Sequence, residues 1–67
     1  MRYRCSFRKD KRTGLTMLMV EAADPYSAAV RAANRNREED FDAVEVWDGP
    51  NRVLTWIRPP DDPTKTP

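Results

Sequence analysis

Four stretches that alternate or carry strand-forming residues, split two and two by one alanine-rich stretch, predict an α+β domain of β-β-α-β-β layout. One helix packs on one face of a four-stranded, mainly antiparallel sheet. Asp24-Pro25 marks where the helix begins: an acceptor side chain that can cap the first amides, then the residue favoured at the first helical position. The predicted strands of each pair are joined by a short polar break holding one of the two glycines, Gly14 and Gly49, which suits hairpins.

Arg2 to Arg8 alternates, with Tyr3, Cys5 and Phe7 on one side and Arg2, Arg4, Ser6 and Arg8 on the other, so it is a strand with one buried face. Residues 9–14 form the connecting loop. Leu15 to Ala22 is the second strand. It is apolar on both faces, so it is either covered on both sides or presents one face to a partner. The helix runs from Tyr26 to Arg37, with Tyr26, Ala29, Val30 and Ala33 on its inner stripe, and ends at Asn36 or in the acidic run Glu38-Glu39-Asp40. Phe41 to Trp47 is the third strand, Asp48-Gly49-Pro50-Asn51 a turn, and Arg52 to Arg58 the fourth strand, which Pro59-Pro60 stops. Residues 1–59 are thus one domain, and 60–67, polar and proline-rich, a disordered C-terminal tail. The pattern leaves the strand order open. The helical connection makes the second and third strands the natural candidates for a right-handed crossover, if they run parallel.

A chain of 67 residues buries only roughly 60 % of the surface its unfolded form exposes, so the core is thin. One cysteine, Cys5, allows no internal disulfide, and with no histidine a zinc cage is not expected. Self-association is the remaining way to complete such a core. The longest apolar run, Met17 to Val20, is far below the ~20 residues of a membrane span, and nothing resembles a secretory leader, so a cytoplasmic location is expected. The net charge of +1 hides a polarity: residues 1–37 carry nine lysines and arginines against three acids, and residues 38–67 three against eight. The two halves either neutralise each other across the fold, answer an anionic partner or pair head to tail between copies.

A single helix leaves one side of the sheet open. Placing Tyr3, Cys5, Phe7, Leu18, Val20, Val44, Val46, Val53 and Ile57 toward the helix leaves Arg2, Arg4, Arg8, Met17, Met19, Glu45, Trp47, Leu54, Trp56 and Arg58 on that open face. Three readings follow from its composition. In the first, the protein is a small interaction module that pairs with itself or docks another protein, with Met17, Met19, Trp47, Leu54 and Trp56 at the centre of contact. In the second, the face binds single-stranded nucleic acid. The tryptophans stack on bases while Arg2, Arg4, Arg8, Lys11 and Arg58 hold phosphates. In the third, arginine stems and the tail cover the aromatics of a monomer.

Catalysis is not expected. The commonest general base is missing, and Cys5 alternates onto the buried face with no histidine beside it. Neither glycine belongs to a phosphate-cradling loop, and a domain this small has little room for a substrate cavity. No cofactor, metal or small-molecule substrate is expected.

The segment Ala43-Val44-Glu45-Val46-Trp47-Asp48-Gly49 followed by Arg52-Val53, the Asp24-to-Ala33 helix upstream and the short opening strand with Tyr3 and Phe7 resemble a group of very short bacterial proteins of unknown function. In those, two strands, an alanine-rich helix and a closing hairpin of V-E-V-W-D-G type make up nearly the whole chain. The likeness covers about residues 2–58. This chain departs from it in Pro50 and in a longer basic first loop. The resemblance implies the same β-β-α-β-β fold and no particular activity.

Overall fold

Strand β1 (Arg2–Arg8) organises the sheet, because it pairs on both sides. The computed structural model describes residues 1–12 and 16–59. The tail expected at 60–67, and Gly14 and Leu15 of the first hairpin, lie outside those residues. β2 (Met17–Glu21) lies antiparallel to β1 on one side and β3 (Ala43–Asp48) antiparallel to it on the other, and β4 (Asn51–Ile57) pairs antiparallel with β3. The order is β2-β1-β3-β4, all antiparallel, with helix α1 (Pro25–Arg35) across one face. The α+β class and the β-β-α-β-β layout are those the sequence predicts. The strand order, which the pattern leaves open, places β1 between β2 and β3. Each is antiparallel to β1, so they run parallel to each other with β1 between them, and the helical connection passes over β1.

The helix starts as its sequence dictates. The Asp24 carboxylate accepts the Ser27 N–H at 2.8 Å, Pro25 occupies the first turn, and Asn36 closes the helix with its N–H on the Ala32 carbonyl. The buried stripe is Ala28, Ala29, Ala32 and Ala33, so Ala29 and Ala33 face the sheet as expected, whereas Val30 is half-buried and Tyr26 exposed. Four alanines bring the helix backbone close to the sheet, so the sheet supplies nearly all the bulk of the core. That bulk is Tyr3, Cys5, Phe7, Val20, Val44 and Val46, with Phe41 from the α1–β3 connection set edge-on to Phe7 at 4.7 Å between ring centres. No helix among the described residues is long and apolar enough to cross a membrane.

One irregularity decides which side chains the open face carries. The β3–β4 hairpin begins with Asp48 opposite Asn51 and Trp47 opposite Arg52, but the next pair is Val46 with Leu54. Arg52 and Val53 therefore share a single partner position, a β-bulge. Gly49 at φ 60° supplies the positive φ that the first central residue of a tight hairpin turn needs. Without the bulge, Val53, Thr55 and Ile57 would point at the helix, as the alternation suggests. With it the phase reverses: Leu54 and Trp56 pack on the helix side against the core, and Val53, Thr55 and Ile57 turn outward.

Candidate interaction face

The open face is built from the residues that the helix side does not use. β1 places Arg2, Arg4, Ser6 and Arg8 along its middle, and β3 sets Ala43, Glu45 and Trp47 beside them, opposite Arg8, Ser6 and Arg4 in turn. β2 borders this central band with Met17 and Met19, and β4 borders it on the other side with Val53, Thr55 and Ile57. Six large apolar or aromatic side chains are exposed among the described residues, and four of them lie on these two borders: Met17, Met19, Val53 and Ile57, each between 44 and 63 % exposed.

The central band is polar and partly self-satisfied. Glu45 is buried despite facing away from the helix, and its carboxylate accepts from Arg52 at 3.0 Å. The Arg4 guanidinium lies 5.3 Å from the centre of the Trp47 ring, within cation–π range. Among the described residues, Arg2, Arg4 and Arg8 make no ion pair, whereas Arg52 is engaged with Glu45. The Nε atoms of Arg4 and Arg8 are buried without a hydrogen-bond partner among those residues. Three arginines without an ion pair among the described residues therefore run down the face between two apolar borders.

Of the residues the sequence placed here, Met17, Met19, Trp47, Arg2, Arg4 and Arg8 come together. Leu54 and Trp56 do not. The bulge moves both to the helix side, where they pack partly buried against the core. Arg58 is also elsewhere. It folds over Phe41 with its guanidinium 4.2 Å from the ring centre, and donates to the carbonyls of Arg37 at 2.6 Å, Glu39 at 2.8 Å and Phe41 at 3.4 Å. It ties the α1–β3 connection to the end of β4. Lys11 sits exposed in the tight Lys9–Arg12 turn, off the sheet face. Val53 and Ile57 join the face in place of Leu54 and Trp56. The signal for them was β4 itself, which is apolar in both phases, so pattern alone could not choose its face.

Other groups that could carry chemistry are already engaged. Cys5 is fully buried, with Sγ 3.8 Å from the Ala28 carbonyl, and burial pushes its thiol up to about 11, so it stays protonated near neutrality. Asp42 accepts the Asp10 N–H at 2.8 Å and, with Asp40, holds Lys9. Among the described residues no three aspartate, glutamate or cysteine side chains converge as a metal cage. A shallow hollow of about 570 Å³ lies between the α1–β3 connection and the end of β4, floored by Phe41 and walled by Arg58, Ile57 and backbone that Arg58 already binds. No family model, curated protein or solved structure matches the chain.

Proposed function

We propose that this is a small non-enzymatic interaction module whose open sheet face docks a protein segment carrying acidic and apolar side chains. The observation that carries this reading is the row Arg2, Arg4 and Arg8 along β1, without an ion pair among the described residues and bordered by Met17 and Met19 on one side and Val53 and Ile57 on the other. Apolar borders gain by leaving water. Unpaired arginines favour carboxylates, which they can hold with paired hydrogen bonds. Methionine and arginine are residue types that recur at protein interfaces.

Single-stranded nucleic acid fits the face less well. Base stacking needs free aromatic planes, and Trp56 is on the other side of the sheet while Trp47 already carries the Arg4 guanidinium. An amide NMR titration of the labelled protein separates these partners. The probes are a short leucine/glutamate peptide, its leucine/lysine counterpart and a single-stranded oligothymidine. Shifts at Met17, Met19, Trp47 and Ile57 with the glutamate peptide alone are the expected result. Salt-sensitive shifts with the oligonucleotide, or no preference between the peptides, would overturn the reading.

A further inference from the structure

We infer that β4 is a pairing edge for a second copy of this chain, joined antiparallel about a two-fold axis at Thr55. This rests on the main-chain edge of β4, which shares Val53 and Ile57 with the border of the docking face but not its row of arginines, and Thr55→Pro tests it without altering that row.

Both outer strands of the sheet are edges, but they differ. β2 has five residues. β4 has seven, and from Val53 to Ile57 it carries neither a charge nor a proline, the usual devices that keep an edge from pairing. The bulge lies at its start, which leaves 53–57 regular. Apolar side chains line this edge on both faces of the sheet, Leu54 and Trp56 on one and Val53 and Ile57 on the other, and none of the four is fully buried.

The backbone specifies which register such a pairing takes. The Arg58 N–H donates to the Asp42 carbonyl on the β3 side at 2.8 Å. Amides in a strand alternate direction, so those of Trp56 and Leu54 also face β3, while Ile57, Thr55 and Val53 present their N–H and C=O groups outward. A two-fold at Thr55 sets Thr55 against its own copy and Val53 against Ile57. Outward groups then meet only outward groups, and each pair exchanges both of its main-chain hydrogen bonds. The side chains match in the same register. Val53 meets Ile57 on the open face, Leu54 meets Trp56 on the helix face, and Thr55 meets Thr55, all favourable cross-strand types. The like charges at the ends are kept apart, because Arg52 is held by Glu45 on the open face and Arg58 folds over Phe41 on the other. The product is one continuous sheet with two open faces side by side.

Sedimentation equilibrium of the whole chain over a dilution series tests this. The mass should rise with concentration from the 7.8 kDa of one chain toward twice that value. Thr55→Pro removes an N–H that the alternation turns away from β3, so it should stay folded by circular dichroism and remain monomeric. Should proline at 55 disturb the fold, charge pairs at the edge give the same answer. The Val53→Lys/Ile57→Lys variant opposes like charges in this register and should be monomeric, whereas Val53→Lys/Ile57→Glu opposes unlike charges and should still pair. A chain that stays at one protomer's mass up to millimolar concentration would overturn the inference. So would a Thr55→Pro dimer, or equal behaviour of the two double variants.

Discussion

Leu54 stands opposite Val46, one step out of the register in which Asn51 opposes Asp48, and that single step puts Trp56 rather than Ile57 beneath the helix. The bulge at Arg52 and Val53 thereby decides both the core and the open face. Deleting Val53 removes the extra residue and leaves Leu54 opposite Val46, so the variant should fold with Trp56 still shielded from a fluorescence quencher. Deleting Thr55 shifts Trp56 and Ile57 to the wrong faces and should abolish cooperative unfolding. Equal damage from the two deletions would contradict the register.

Trp56 and Trp47 lie on opposite faces, so their truncations should separate. Trp56→Ala empties part of the core, and urea unfolding should show a loss of about 2–3 kcal/mol, below the range for fully buried large aromatics because the ring is only partly buried. Trp47→Ala removes an aromatic that stacks with Arg4, and should cost about 1 kcal/mol.

Arg58 spans three carbonyls and an aromatic face with one planar group. Lysine cannot reproduce that fork. Arg58→Lys and Arg58→Ala should therefore both destabilise the fold, by about 1–2 kcal/mol. Both should speed amide hydrogen exchange in the connection from Glu38 to Asp42. Full retention of exchange protection in Arg58→Lys would show that a point charge is enough.

Cys5 should be chemically silent in the folded protein. With its thiol raised to about 11 and no exposed surface, an aromatic disulfide reagent at pH 8 should label it only as fast as the chain opens. Denaturant should restore ordinary reactivity. Immediate labelling without denaturant would contradict its placement.

The Asp42 carboxyl is held below the usual 3.8, first by the Asp10 N–H and then by Lys9. A depressed carboxylate contributes stability that is present above its unfolded value and is lost as pH falls through its folded one. Asp42→Asn should therefore lower Tm at pH 7 and leave it unchanged well below pH 3.8. Lys9 is raised by Asp40 and Asp42, so its share persists at neutral pH and is lost only as pH climbs through its raised value.

Most of the fold is legible from local signals. The alternation of Arg2–Arg8, the Asp24-Pro25 start and the Gly49 turn each act within a few residues, and each appears where those signals put it. What escapes is set by contacts distant in sequence. The place of β1 between β2 and β3 is main-chain pairing along both of its edges with strands distant in sequence, which no local pattern encodes. The faces of β4 depend on a bulge in a strand that is apolar in both phases, so Val53 and Ile57 exchange places with Leu54 and Trp56. The inner stripe of α1 follows from the close approach that alanines permit, which leaves Tyr26 outside. Arg58 could not be assigned from its position alone, because its partners are carbonyls about twenty residues away.

The measurement that tests the docking face most directly is a charge swap. Arg4→Glu/Arg8→Glu inverts the middle of the row while leaving the apolar borders and the β4 edge intact. With the fold checked by circular dichroism, calorimetric titration should show affinity for the leucine/glutamate peptide falling by about tenfold or more, and affinity for the leucine/lysine peptide rising in its place. A folded double variant that binds the glutamate peptide as the unaltered chain does would contradict the account, since the unpaired arginines would then have no part in recognition.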